Sequence, residues 1–215
     1  MSHIFLVGVC IVALGLYLGC EKSDTSSSNA SQNQKHERKE LTMPERKNAI
    51  TLKGNSLTLL GKELKVGDQA PDAVVVGNDL SEKKLSEYEG RIRLLASVPS
   101  LDTPVCSTET RRFNEEATKL GDTVVVLTIS MDLPFAQQRW CGAEGIKQVV
   151  TLSDYRHQEF GQNYGVLIKE LGLLARAVFV VDAQDVIRYV EIVSETATEP
   201  NYEAALTAVK KLVSN

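Results

Sequence analysis

The stretch RLLASVPSLDTPVC, residues 93–106, decides the fold class of this chain. Its first six residues are mostly apolar and do not alternate with polar ones, which is typical of a strand covered on both faces of a sheet. After a short loop, Thr103 suits the N-cap of a helix and Pro104 suits its first position. The stretch therefore predicts a buried strand, a loop and a helix from Pro104 to Leu120, with a single cysteine, Cys106, in the first helical turn.

Strands and helices alternate on both sides of this stretch. Toward the N-terminus, two short runs around Gly54-Asn55 predict a β-hairpin over residues 50–60. Further strands are expected at residues 72–76, 123–130, 149–152, 175–181 and 186–193. Further helices are expected at residues 133–141, where Gly142 would end the helix, and at 155–164 and 201–213. Because helices follow strands and two strands come late in succession, the order predicts an α/β fold, a layered sheet with a terminal hairpin.

The N-terminal residues predict export and a membrane anchor. Residues 4–18 are almost wholly apolar, a run too short to span a bilayer comfortably but long enough for the core of a signal peptide. The run ends at Leu18-Gly19-Cys20, which resembles the lipobox of bacterial lipoproteins, where the cysteine is lipidated and becomes the mature N-terminus. We therefore expect a lipoprotein-type signal peptide at residues 1–19 and lipidation of Cys20; the alternative is an uncleaved membrane anchor.

The folded domain is expected to begin near residue 49. Between residues 20 and 48, Ser, Asn, Gln and charged residues dominate, which predicts a flexible polar linker. Residues 49–215 are long enough for one domain with its own core. Export would place this domain in the cell envelope, on the extracytoplasmic side of a membrane, where disulfides persist unless a dedicated reductant reaches them.

The composition excludes several classes of function. The net charge is -4 and charges of both signs are mixed, so no basic face for nucleic acid is expected. Three scattered histidines offer no ligand set for zinc or haem, and we expect neither a metal site nor an organic cofactor. The sequence lacks Cys-x-x-Cys, Gly-x-Ser-x-Gly and glycine-rich nucleotide-binding motifs, which excludes the simplest thioredoxin-type dithiol, a hydrolase nucleophile elbow and a phosphate cradle.

Two cysteines, Cys106 and Cys141, are the candidates for chemistry. In the first turn of a helix, free backbone N–H groups and the helix dipole favour the thiolate of Cys106, the nucleophilic form. Thr103 lies one turn earlier, where its hydroxyl can hydrogen-bond the sulfur or a substrate oxygen, and Pro99 restricts the loop. Cys141, expected at a helix C-terminus, gains no help from the dipole and suits a resolving thiol that attacks a sulfenic acid.

The residues alone leave other interpretations open. Cys106 can be a buried packing cysteine, and Cys141 can be another one or half of a static disulfide in an exported domain. Two other functions are then conceivable. One is a thiol–disulfide oxidoreductase acting on proteins, against which the missing Cys-x-x-Cys counts. The other is a non-enzymatic lipoprotein with a thioredoxin-like binding domain.

Six segments of the chain are similar to the thiol peroxidase subfamily of the peroxiredoxins. They are VPSLDTPVC (98–106), RFNE (112–115), DLPFAQ (132–137), CGAEG (141–145), LLARAVFV (173–180) and TEPNY (198–202). The first contains Pro-x-x-x-Thr-x-x-Cys, which resembles the active-site signature of the peroxiredoxins. The similarity covers about residues 50–213. It implies a thioredoxin-like fold with a central mixed sheet flanked by helices, an N-terminal β-hairpin extension and a homodimer.

The resemblance also implies a role for each site residue. Cys106 would be the peroxidatic cysteine and Cys141 the resolving cysteine of the same chain, the atypical two-cysteine arrangement. Thr103 would hydrogen-bond the peroxide, Pro99 would shape the pocket, and Arg176 would support the thiolate and the leaving oxygen. Without the resemblance, the sequence would indicate only that Arg176 is a charged residue at the edge of a strand.

The implied activity is that of a thiol-specific peroxidase in antioxidant defence. It would reduce hydrogen peroxide and organic hydroperoxides through a Cys106 sulfenic acid and a Cys106–Cys141 disulfide, with thioredoxin or a similar dithiol donor as reductant. Three apolar residues near the expected site, Leu101, Leu133 and Trp140, would favour alkyl or lipid hydroperoxides, although core packing explains them equally well.

Overall fold

The computed structural model describes residues 43–214, which form two β-sheets, four α-helices and one 3-10 turn. The strands are β1 (Glu45–Leu52), β2 (Asn55–Leu60), β3 (Val74–Val76), β4 (Glu82–Lys84), β5 (Ile92–Ser97), β6 (Val124–Ser130), β7 (Val149–Ser153), β8 (Leu167–Ile168), β9 (Leu173–Leu174), β10 (Ala177–Val181) and β11 (Ile187–Ile192). The helices are α1 (Pro104–Leu120), α2 (Pro134–Glu144), α3 (Glu159–Asn163) and α4 (Tyr202–Val213), and the 3-10 turn is Leu85–Tyr88. Within residues 43–214, no helix has both the length and the apolar character that a membrane crossing requires.

The central sheet has seven strands in the order β11-β10-β5-β6-β7-β3-β4. β5, β6 and β7 run parallel, and β10 and β3 lie antiparallel on the two sides of this parallel core. The side chains of β5 alternate between two clusters, since Leu95 belongs to one and Leu94 packs in the other with Phe113 of α1 and Val209 of α4. Both faces of the sheet are therefore covered, and the predicted α/β fold with a mixed sheet flanked by helices is confirmed.

β1 and β2 form the predicted N-terminal hairpin, with Lys53 and Gly54 at its tip. Both residues have positive φ, 51° and 79°, as a two-residue turn that matches the twist of its strands requires. β1 begins at Glu45, so residues 45–48 belong to this hairpin and not to the predicted linker. Their side chains are mostly exposed, and an edge strand without apolar alternation leaves no periodic signal in the sequence.

The N-terminal anchor predicted from the sequence lies outside the described residues. This applies to the signal peptide at residues 1–19, to Cys20 and to the linker as far as residue 42. The lipoprotein interpretation therefore stays a prediction.

Helix α2, which carries Cys141, differs from the prediction. The sequence predicts its end at Cys141 beside Gly142, but the helix continues through Gly142 to Glu144, and Gly145 caps it. Gly145 adopts the left-handed conformation, with φ 66°, and its N–H and that of Ile146 both donate to the Cys141 carbonyl oxygen. Cys141 is thus tied into the last helical turn by its backbone.

Candidate active site

The Cys106 sulfur lies between two hydrogen-bond donors. Cys106 is in the first turn of α1 and is fully buried. Its Sγ is 2.8 Å from the Thr103 hydroxyl and 3.3 Å from Nη2 of Arg176, which precedes β10. The structure thus brings together three residues predicted to form the site, although Cys106 and Arg176 are 70 residues apart in the chain.

Thr103 both caps the helix and contacts the sulfur. Its hydroxyl oxygen accepts the Cys106 backbone N–H at 3.4 Å and lies 3.1 Å from the Ser100 carbonyl oxygen. The hydroxyl has one proton, which it can donate either to that carbonyl or to the sulfur. A charged acceptor forms the stronger hydrogen bond, so the hydroxyl donates to the Cys106 sulfur when that sulfur is a thiolate.

The Arg176 guanidinium is held by three different groups. Besides Cys106, Nη1 donates to the Glu109 carboxylate and Nε donates to the Thr196 carbonyl oxygen at 3.1 Å. Burial alone would lower the pKa of Arg176, but the negative charges of Glu109 and Cys106 raise it above its ordinary value. The side chain is a fixed, permanently charged donor. Its two terminal nitrogens bond the Glu109 carboxylate and the Cys106 sulfur at the same time.

Glu109 is a site residue that the sequence did not reveal. It lies one turn after Cys106 on α1 and is fully buried, and one of its carboxylate oxygens has no hydrogen-bond partner. Burial raises the pKa of Glu109 to about 7, although Arg176 acts in the opposite direction. The only signal in the sequence is position, because Glu109 interrupts the apolar stripe of α1 on the side of Cys106. When Glu109 is protonated, the Cys106 thiolate is the only negative group that pairs with Arg176 among these contacts.

The raised pKa of Glu109 predicts a loss of stability as the pH rises. The folded state holds the proton up to about pH 7, while the unfolded chain releases it near the ordinary value of 4.5. The contribution is therefore fully present below about pH 4.5 and is lost as the pH rises to about 7, by up to about 3 kcal/mol. Glu109→Gln should remove this part of the pH dependence of urea unfolding between pH 5 and pH 8. The exposed Glu115→Gln on the same helix is the matched control, and equal pH profiles for the two variants would contradict the prediction.

The loop before α1 is held from the next strand. Pro99 follows β5 and begins the loop, and the Asp132 carboxylate accepts from the Ser100 hydroxyl and the Leu101 backbone N–H, both at 2.8 Å. The proline ring restricts the backbone where the loop leaves the sheet. The role of Pro99 in shaping the pocket stays a prediction.

Of the three apolar residues expected near the site, two are there. Leu101 and Trp140 are buried in one cluster with Val98 and Cys106. Leu133 is 52% exposed, so it lies at the surface and does not cover the sulfur. Trp140 is the single tryptophan of the chain, which makes its fluorescence a direct probe of this cluster.

Cys141 lies on a separate helix, and both Cys106 and Cys141 are free thiols. The Cys141 sulfur is partly buried, 3.4 Å from the Thr151 hydroxyl of β7, beside a cavity of about 360 Å³. Burial raises the pKa of Cys141, and the contact with Thr151 offsets part of this shift. Cys106 and Cys141 lie on different helices, and we expect local unwinding before a disulfide joins them. Among residues 43–214, no group of three or more His, Cys, Asp and Glu side chains is placed to hold a metal ion.

Comparisons with known proteins agree with this geometry. A family model described as Redoxin matches residues 65–206. A thiol peroxidase of Oceanobacillus iheyensis is 59% identical over 162 residues, which are 75% of this chain and 98% of that protein. A thiol peroxidase of Bacillus subtilis is 57% identical over 164 residues, which are 76% of this chain and 98% of that protein. Among solved structures, a peroxiredoxin-like protein from Aquifex aeolicus has a TM-score of 0.72 and 47% identity, covering 77% of this chain and 97% of its own.

The fold, the buried thiol and the matched family model together define the class. The chain belongs to the redoxin family, and the range that the family model matches, residues 65–206, contains Thr103, Cys106, Cys141 and Arg176. Its identity to the thiol peroxidases places it in that subfamily of the peroxiredoxins and makes it a thiol-dependent peroxidase, as the sequence predicted.

Proposed function

We propose that the protein reduces hydrogen peroxide and organic hydroperoxides at Cys106 and resolves the product with Cys141. The observation that carries this proposal is the Cys106 sulfur between the Thr103 hydroxyl and the Arg176 guanidinium. Both donors lie at the sulfur, whose negative charge passes to the departing peroxide oxygen during the reaction. In a buried site, such fixed donors act more strongly than they would in water.

The first step oxidises Cys106. Its thiolate attacks the distal peroxide oxygen, which carries the hydrogen, the O–O bond breaks, and the other oxygen leaves as an alkoxide or hydroxide that takes up a proton. The products are a sulfenic acid at Cys106 and an alcohol or water. The contacts of Thr103 and Arg176 with the sulfur support a role for both in holding the peroxide and stabilising the departing oxygen. The apolar cover of Leu101 and Trp140 supports organic hydroperoxides as substrates alongside hydrogen peroxide.

The second step forms the Cys106–Cys141 disulfide. Cys141 attacks the Cys106 sulfur, the S–O bond of the sulfenic acid breaks, and the oxygen leaves as water. Thioredoxin or a similar dithiol donor then reduces the disulfide to two thiols and is itself oxidised. The cycle needs no metal or organic cofactor.

The proposal extends to the place and the assembly of the enzyme. The apolar N-terminal run that ends at Cys20 supports export and a lipid anchor, and an exported thioredoxin-like protein would then have to reduce the enzyme. The homodimer is proposed from the family resemblance alone. Mass spectrometry of the mature N-terminus decides whether Cys20 carries a lipid. Light scattering of the purified protein measures its mass and so determines whether it is a dimer.

The test of the two-cysteine cycle is disulfide mapping after a single turnover. The reduced protein is treated with one equivalent of hydrogen peroxide, trapped within seconds and digested without reductant. We expect a Cys106–Cys141 bond in the wild type and none in Cys106→Ser. In Cys141→Ser, a sulfenic acid at Cys106 should accumulate instead. If both thiols of the wild type stay free, the cycle is wrong. A bond that is present before peroxide is added, and that peroxide does not change, would indicate a static disulfide.

A further inference from the structure

The segment DLPFAQ, residues 132–137, resembles the subfamily but has no part in the chemistry above. Asp132 follows β6 and Gln137 lies inside α2. Neither side chain forms a hydrogen bond with the sulfur of Cys106 or Cys141, since their hydrogen bonds go to other groups. Their contacts nevertheless connect the two segments that carry these cysteines.

A continuous chain of hydrogen bonds begins at Gln137. This side chain is fully buried, and its Nε2 donates to the Ser130 hydroxyl at 3.0 Å and to the Leu152 carbonyl oxygen at 2.8 Å. The Ser130 hydroxyl donates its single proton to Asp132 at 2.8 Å. Asp132 in turn holds the loop before Cys106 through Ser100 and Leu101.

The same bonds hold helix α2 on the sheet. Only three of its eleven residues are buried, namely Pro134, Gln137 and Trp140. The burial of apolar side chains therefore contributes little to holding this helix on the sheet. Gln137 lies one helical turn before Cys141 and therefore anchors the turn that leads to Cys141. The amide oxygen Oε1 has no hydrogen-bond partner, so the anchor consists of the two bonds donated by Nε2.

We propose that Gln137, Ser130 and Asp132 are positioning residues that hold Cys141 away from Cys106 until the sulfenic acid has formed. This proposal rests on the two-cysteine cycle proposed above. The two bonds of Gln137 break when α2 unwinds, and the Cys106–Cys141 bond then forms with release of water from the sulfenic acid. The strength of this connection sets the rate of the second step and leaves the first step unaffected.

The test is Gln137→Met, which keeps the size and helix propensity of the side chain and removes both donated bonds. Reduced protein is mixed with increasing hydrogen peroxide, and Trp140 fluorescence is followed by stopped flow. The phase that depends on peroxide reports Cys106 oxidation, and the phase that does not reports disulfide formation. We expect the second phase to become about tenfold faster, while the first stays within about twofold of the wild type. The matched control is Gln138→Met, the same change at an exposed neighbour, which should alter neither phase.

The redox equilibrium separates this role from a general loss of stability. The bonds of Gln137 exist in the reduced state and are broken in the disulfide state, so their removal destabilises only the reduced form. Equilibration with dithiothreitol should shift about tenfold toward the disulfide in Gln137→Met. A defect that weakens both states equally would leave this equilibrium unchanged. Ser130→Ala removes one of the two bonds of Gln137 together with the bonds between the Ser130 hydroxyl and Asp132. It should give a shift of at least about threefold and serves if Gln137→Met does not fold.

The outcomes distinguish this inference from the proposed function. If the wild type shows both phases but Gln137→Met matches Gln138→Met in rate and equilibrium, the positioning role is wrong and the cycle stands. If Gln137→Met slows the second phase, the connection assists resolution instead of restraining it, and the inference is also wrong. If the wild type shows no second phase and no Cys106–Cys141 bond, the proposed cycle fails and the inference fails with it.

Discussion

Arg176→Met lowers the rate constant for Cys106 oxidation by about three orders of magnitude. The variant removes the donor 3.3 Å from the Cys106 sulfur together with its positive charge. That charge stabilises the thiolate before the reaction and the departing oxygen during it. Because the site is fully buried, water cannot take over either task. Stopped-flow Trp140 fluorescence with hydrogen peroxide measures the effect.

Loss of Arg176 also affects the fold, and a second substitution separates the two effects. Arg176→Met breaks the buried pair with Glu109, which costs about 3–5 kcal/mol at a pH where Glu109 is ionised. The double variant with Glu109→Gln replaces the carboxyl with a neutral amide and should regain most of the stability lost at that pH. Its rate should stay as low as that of Arg176→Met. A folded double variant that reacts within about tenfold of the wild type would contradict a role of Arg176 at the sulfur.

Arg176→Lys tests the geometry apart from the charge. A lysine keeps one positive charge but cannot reach sulfur, carboxylate and the Thr196 carbonyl at once, as the guanidinium does. We expect about a hundredfold loss of rate, which lies between the wild type and Arg176→Met. A lysine variant with the full wild-type rate would indicate that charge alone is sufficient.

The sequence predicted those parts of the fold that local rules determine. Helix α1 has the predicted bounds, because Thr103 and Pro104 mark its start and an apolar stripe continues to Leu120. The buried central strands were also found, since an apolar run bounded by loops is a strong signal. β1 begins earlier than the sequence predicts, because its first residues are mostly polar and exposed and give no periodic signal. Helix α2 ends later than predicted, because Gly142 is helical and Gly145 takes the left-handed position that ends the helix.

The candidate site was only partly predictable. Cys106 and Thr103 lie one turn apart on a single helix, so local reasoning could pair them. Arg176 comes from a different part of the chain, and only the family resemblance indicated its role. Glu109 and Gln137 were not found, because a polar residue on the buried side of a helix acquires its meaning from its tertiary partners. The untested roles of Pro99 and Cys20 stay predictions.

Thr103→Val lowers the rate of Cys106 oxidation by about a hundredfold. Valine has nearly the same shape as threonine, so the cluster around the sulfur should keep its packing. The substitution removes the hydroxyl that lies 2.8 Å from the sulfur and that also caps α1. The loss of the cap should reduce stability by only about 1 kcal/mol, which is too little to unfold a domain of this size. The rate and the stability are measured on the same protein, by stopped-flow fluorescence and urea unfolding.

The hydroxyl of Thr103 has two functions, and the choice of control separates them. Thr103→Ser keeps both the cap and the donor and should react within about threefold of the wild type. Thr103→Asn keeps a side chain that caps well but cannot place a hydroxyl at the sulfur, so it should be nearly as slow as Thr103→Val. If Thr103→Asn reacts like the wild type, the contribution of Thr103 comes from fixing the helix start, and the contact with the sulfur has no role in the rate. If Thr103→Ser is as slow as Thr103→Val, the threonine methyl group positions the site and the donor does not.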